Sequence, residues 1–359
     1  ENGWTWTSFN VSNDKMADIS EILRNNEWAS GDEVKREDGG VSTYGTETGW
    51  VGSLRSFDNE GMFMVRSSYA QTLSVIGKPV NTADNILTVR SVNDKGVAVW
   101  NYIPYLAQKN LTLNEALAGY EAEEGDVVKS QSGFAMYNGN LGWIGSLTYM
   151  QPGRGYMLQR IGTTTATLQY PSDNTQGGRA NVKTRSMGNE PEMVDYGVAN
   201  TNYARTMSMA TVEGIEVNEG DVLKAYANGE LRGESPVICR GESDEPLFFL
   251  SVAGEQAESF DVVVERKGEV VASAAGAGNF KADDVKGSYD NPIVISFVDR
   301  NSQAVYPSPF YNELFIRKQV DPKAKVIVTI NDTKGTTVAI FRDCNRDGQV
   351  DIHWTDALN

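Results

Sequence analysis

The sequence predicts a mainly β protein: tandem β-rich repeat units, each with one short helix, followed by β-sandwich (Ig-like) domains. Three observations lead there. The hexapeptides GWVGSL (49–54) and GWIGSL (142–147) differ by one methylene. The chain holds 35 glycines, placed between short runs rich in Val, Ile and Thr, the punctuation of antiparallel strands and tight turns. At 359 residues it is too long for one ordinary core, so several domains are expected.

The first two units follow from how far the hexapeptide match extends. GDEVK (31–35) answers GDVVK (125–129) at an offset of 94, and WTSFNV from Trp6 answers WNYIPY from Trp100 at the same offset. FMV (63–65) answers YML (156–158) at 93, as Gly49 answers Gly142. A whole unit is therefore expected in tandem, over 1–93 and 94–170. Each unit carries a helix start in the same place. TLNE (112–115) is a capping box, Thr112 and Glu115 each bonding the other's backbone amide, with Ala116, Leu117 and Tyr120 behind it. DISE (18–21) puts Asp18 at the matching cap, with Ile22 and Leu23 following. GFAMYNGNLGWIGSL reads as a hairpin turning at Asn138-Gly139.

Residues 171–195 are polar and rich in Gly and Pro without a periodic apolar face, which predicts a linker. A different domain is expected over 196–300, with strands at 206–212, 221–235, 246–254, 260–274 and 292–298. Asn228-Gly229 and Lys267-Gly268 supply its hairpin turns. That many short strands in about 100 residues describes a β-sandwich. GDVLK (220–224) repeats the Gly-Asp string of the first units and hints at a distant kinship. Residues 301–359 make a last β domain.

Composition removes several functions. The formal charge is −16, from 48 acidic and 32 basic residues, with no local cluster of Lys and Arg. Such a surface repels phosphate backbones, so nucleic acid and anionic membrane are excluded as partners. No apolar run is long enough to span a bilayer, and the residues after Glu1 lack the basic-then-apolar pattern of a signal peptide. The chain reads as mature or cut from something larger. His353 is the single histidine, which leaves no base for a Ser-His-Asp or Cys-His arrangement and few ligands for zinc, iron or copper. Cys239 and Cys344 form either one bridge or two buried thiols, the second being preferred. No glycine loop for phosphate is present, and no catalytic residue is assigned.

Two candidate sites remain. Trp50 and Trp143 are either stacking platforms for a sugar or peptide, or interior residues both units must keep; the interior reading leads. Asp32 and Asp126 read as turn-closing residues. In DCNRDGQVDIHW (343–354), Asp343, Asn345 and Asp347 take positions 1, 3 and 5 of a calcium loop, with Gly348 at 6. Trp354 stands where the bidentate carboxylate belongs, so a hairpin turn is the preferred reading and calcium the secondary one. No other cofactor is expected.

The segment YPSPFYNELFI (306–316), followed by VIVTI, NDTKG and TTVAIF, resembles the C-terminal sorting domain of the bacterial type IX secretion pathway. Ser308 stands where that family usually has Asn, and the end WTDALN lacks its Gly-x-Tyr strand and basic terminus. The tandem GW[VI]GSL units resemble repeats found beside such domains in large bacterial surface proteins. The resemblance implies export across the outer membrane, with the C-terminal segment engaging the export machinery, and a place at the cell surface or outside it. The expected function is display, adhesion or spacing by a non-catalytic protein, as the C-terminal part of a larger exported one, its partner a surface protein or glycan. The alternatives are a carbohydrate-binding module using Trp4, Trp6, Trp50 and Trp143, and a hydrolase built on a carboxylate pair.

Overall fold

Strand-forming runs alternating every second residue dominate the chain, and in the computed structural model they fold as a mainly β protein built of antiparallel sheets. The structure describes residues 3–93, 95–172, 204–240, 245–299, 303–306, 313–319, 327–331, 337–342 and 349–355. It divides into two units, Glu1–Asn202 and Tyr203–Asn359.

The first unit holds two five-stranded sheets. Sheet A comprises β1 (Gly3–Thr7), β2 (Glu33–Lys35), β3 (Val41–Gly45), β4 (Gly49–Gly52) and β5 (Phe63–Ser67), in spatial order β1-β5-β2-β3-β4. After β6 (Leu87–Val89), sheet B is formed by β7 (Trp100–Pro104), β8 (Val127–Lys129), β9 (Phe134–Asn138), β10 (Gly142–Gly145) and β11 (Gly155–Gln159). Its order is β7-β11-β8-β9-β10, the same as that of sheet A. Each sheet has its helix: α1 (Ile19–Leu23), capped by Asp18, and α2 (Leu113–Ala116), where Thr112 and Glu115 form a complete capping box.

Register corrects one alignment. Trp4 lies opposite Arg66 and Trp100 opposite Gln159. Arg66 and Gln159 occupy matching places 93 residues apart, so the partner of Trp100 is Trp4, at an offset of 96, and Trp6 matches Tyr102. The connection from β1 to α1 is two residues longer than its counterpart, and the intervals WTW and WNY conceal this. The hairpin at 138 also turns differently. Asn138 pairs with Gly142 across a three-residue loop, the Asn138 side chain accepts from the Asn140 and Leu141 amides, and the left-handed residue is Gly142, at φ +78°.

Each sheet turns one face inward. Sheet A closes over Phe9, Ile19, Leu23, Val34, Phe57 and Phe63. Sheet B closes over Tyr105, Leu113, Val128, Tyr156 and Leu158. Val80, Leu87 and Val89, all ahead of residue 94, pack into this second core, and β6 pairs with β12 (Ala166–Leu168). The sheets are also tied directly. The Ser8 hydroxyl donates to the Arg154 carbonyl and accepts from the Tyr105 amide, and Glu37 accepts from the Tyr102 amide.

In the second unit, β13 (Ala204–Glu213) pairs with β16 (Glu245–Gly254), and a second sheet orders β15 (Glu230–Pro236), β14 (Val222–Ala227), β17 (Ser259–Arg266) and β18 (Glu269–Asn279) side by side. One core takes Phe248, Leu250 and Val252 from the first sheet and Leu223, Val262 and Val264 from the second. Both expected hairpins form with left-handed turn residues, Asn228-Gly229 and Lys267-Gly268. Further on, Gln303–Tyr306, Glu313–Gln319 and Gln349–Thr355 make a three-stranded sheet, and Ile327–Asn331 pairs with Thr337–Arg342.

Candidate functional site

The hexapeptide is where a ligand platform was conceivable, and each of its positions has the same task in both sheets. The first glycine turns the chain into the strand with positive φ, +66° at Gly49 and +78° at Gly142. The tryptophan points into the core: Trp50 is 9% exposed and Trp143 8%. Trp50 lies edge-on to Trp28 with ring centroids 4.9 Å apart and 5.5 Å from Tyr44; Trp143 lies 5.4 Å from Tyr137 and 6.3 Å from Tyr120. Val51 and Ile144 take the opposite face. A side chain on Gly52 or Gly145 would collide with the carbonyl oxygen of Val41 or Phe134 in the neighbouring strand. Ser53 and Ser146 accept from the amides of those same two residues, both at 3.2 Å. Leu54 and Leu147 close the core.

The Gly-Asp string builds one turn three times. The amides of Ala29, Glu123 and Asn218 donate to the carboxylates of Asp32, Asp126 and Asp221, at 2.9, 3.0 and 2.8 Å. Each aspartate amide returns a bond to the carbonyl of the same residue three places back. The glycines between have φ of +94°, +88° and +86°. All three carboxylates are buried, and each is finished by the strand beside it. In sheet A, the Ser68 amide and hydroxyl donate to Asp32. In sheet B, the Ile161 amide and the Tyr120 hydroxyl donate to Asp126 at 2.7 Å each, with Arg160 alongside. In the second unit, Arg266 Nε and Nη2 fork onto Asp221 at 2.9 and 2.8 Å. Arg160 follows the residue paired with Val127, and Arg266 follows the residue paired with Val222. The two arginines thus hold one register position.

These networks set the electrostatics. Burial works against the charge of Asp221, yet the bonds from Arg266 and the Asn218 amide hold its carboxyl below the usual range. Burial, then the bond to Asp126, pushes the Tyr120 hydroxyl far up. Arg160 is raised despite burial because Tyr120, Asp126 and Glu123 surround it. The carboxylates are filled by donors from their own chain, an arrangement that fixes strand ends. Sequence reasoning found the turn and named Tyr120 only as an apolar residue behind the helix cap; it missed Arg160 and Arg266, whose only signal was their place one residue beyond a strand pairing.

Trp4 and Trp6 lie half-buried on the outer face of sheet A. Lys35 Nζ sits 4.6 Å and the Arg66 guanidinium 5.4 Å from the Trp4 ring centre. Lys129, buried, sits 4.2 Å from Trp100 and 5.8 Å from Trp6. Gln131 accepts from the Trp6 amide and donates to the Trp4 carbonyl, tying the edge of sheet A to sheet B. Lys35 and Lys129 are the last residues of their Gly-Asp strings, so this aromatic–cation pairing also repeats.

Asp343, Asn345, Asp347 and Cys344 lie outside the described residues, as does the Cys239 side chain. Among the described residues no group of three or more His, Cys, Asp or Glu could hold a metal, and no helix is long and apolar enough to cross a membrane. Compared with protein families, curated proteins and solved structures, the chain matches none.

Proposed function

We propose that this chain is a non-catalytic, exported β protein that spaces, displays or adheres at a bacterial cell surface. Its first unit is read as one ancestral sheet-and-helix module present twice, its second as β-sandwich domains ending in a sorting segment. One observation carries the reading: in both sheets the glycines, the tryptophan, the serine and the leucine of the repeated hexapeptide, the most marked motif in the sequence, are spent on a turn, a close strand approach, a core contact or a bond to the neighbouring strand. The identical strand order and the three matching Gly-Asp turns support descent from a common module. Export rests on the terminal resemblance alone.

The test has two arms. A glycan array and a panel of chromogenic glycosides should stay blank with the purified chain; binding or turnover that is lost in Trp4→Ala, Trp6→Ala or a carboxylate variant overturns the non-catalytic spacer reading. Residues 301–359 fused to a reporter should reach the surface of a type IX-competent bacterium, and a reporter retained in the periplasm overturns the export reading.

A further inference from the structure

The two sheets finish their last strands differently. In sheet B the edge strand is β10, and its Trp143 amide donates to Asn114 Oδ1 at 2.8 Å. That carboxamide fills the space beside Gly142, where a side chain would strike it. In sheet A the edge strand is β4, and Ser20, exposed, holds the place of Asn114 two residues after the helix cap. A side chain on Gly49 would meet nothing within 4 Å. The edge of sheet B is capped and that of sheet A is open.

Register fixes which groups that open edge presents. Tyr44 donates its amide to the Asp32 carbonyl and accepts from the Gly31 amide, so its backbone bonds run away from β4. Trp50, its neighbour across the strands, therefore turns its own N–H and C=O outward, and by the alternation of an antiparallel pair so does Gly52, while Val51 bonds to Thr43. Among the described residues nothing bonds these outward groups of Trp50 and Gly52. Between them the Val51 side chain is 51% exposed. Glu47 and Arg55, each four residues from Val51, are exposed, and among the described residues neither side chain has an ion pair or hydrogen bond. Asn140 and Thr148, uncharged, stand at the matching places of sheet B.

We infer that β4 pairs with β4 of a second copy of this chain, antiparallel about a two-fold axis at Val51. The edge is self-complementary in that register. Trp50 of each copy faces Gly52 of the other, and each pair exchanges N–H···O=C bonds in both directions. Val51 faces Val51 as the close, non-hydrogen-bonded pair and shields its exposed surface. Arg55 of one copy comes beside the loop that carries Glu47 of the other, and the symmetry makes this contact twice. Two chains of net charge −16 repel at long range, but the paired hexapeptide is itself uncharged. Pairing of this kind stands whether or not the chain is exported.

The experiment is sedimentation equilibrium of the full chain from about 1 µM to about 1 mM, at about 150 mM salt to screen the net repulsion. A reversible monomer–dimer equilibrium should fall within that range. Val51→Lys, which sets two ammonium groups face to face on the axis, should weaken it about tenfold or more. Glu47→Arg should weaken it about threefold or more, and adding Arg55→Glu to that variant should restore the parent value. A chain that stays monomeric throughout, a dimer indifferent to Val51→Lys, or a charge swap that restores nothing overturns the pairing. A circular-dichroism melt of each variant, taken at the low end of the range, separates loss of contact from loss of fold.

Discussion

Sheets A and B share strand order and register, yet their outward faces differ. On sheet A, Glu33, Lys35, Val41, Thr43 and Arg66 are half-buried and Val51 is exposed. The matching positions on sheet B are Val127, Lys129, Phe134, Met136 and Gln159, and the first four are all below 9% exposed. Met157, opposite Lys129, is also buried, whereas its counterpart Met64 is half-buried. The inward faces keep Val34 and Val128, Trp50 and Trp143, Val65 and Leu158. Strand order and inward packing are thus common to both sheets. The outward residues differ with what each face meets: sheet A carries the half-buried charges Glu33, Lys35 and Arg66, and sheet B the buried Val127, Phe134 and Met136, with its one buried charge, Lys129, set against the Trp100 ring.

This contrast can be broken most directly at Phe134. Phe134→Ala should cost about 3–5 kcal/mol in urea unfolding, while Val41→Ala at the matching place should cost about 1 or less. Equal costs would show that the two outward faces are energetically alike. Next in size is Asp221→Asn, with an expected loss of about 1.5–3 kcal/mol at neutral pH from its bonds to Arg266. Because the folded carboxyl sits below its usual range, this contribution is present above the unfolded pKa and disappears as pH falls through the folded one. The stability gap between parent and variant should therefore narrow in acid, and a gap constant with pH would refute the charged pairing.

Gly52→Ala and Gly145→Ala sharpen the common part. Both drive a methyl against a neighbouring carbonyl, so each should cost about 1–3 kcal/mol, and the two values should agree despite the different outer faces. The smallest effect is the coupling between Lys35 and Trp4. A double-mutant cycle should give about 0.5–1 kcal/mol for this solvent-facing pair; a value near zero would mean that the ammonium samples the ring without favouring it.

Much of sheets A and B was legible because local rules act over a few residues. The caps at Asp18 and Thr112, the turns at Asp32 and Asp126 and the inward Trp50 and Trp143 all follow from short spacings. The match of Trp4 with Trp100 was not, since Trp-x-Trp and Trp-x-Tyr align equally well two residues out of step, and only pairing with Arg66 and Gln159 decides. Arg160 and Arg266 were invisible for a related reason. An ion pair across strands depends on register between residues 34 and 45 positions apart, which no local pattern encodes.

The pairing of Leu87–Val89 with Ala166–Leu168 has a consequence for biosynthesis. The first of these strands leaves the ribosome long before the second is translated. Sheet A can close as soon as Phe63–Ser67 is out, but the hydrophobic interior behind sheet B must wait, holding Leu87 and Val89 in reserve until its last contributor arrives. At roughly 5–20 residues per second that interval is several seconds. During it the nascent polypeptide displays an unmatched strand, the stage at which a chaperone would gain most by binding.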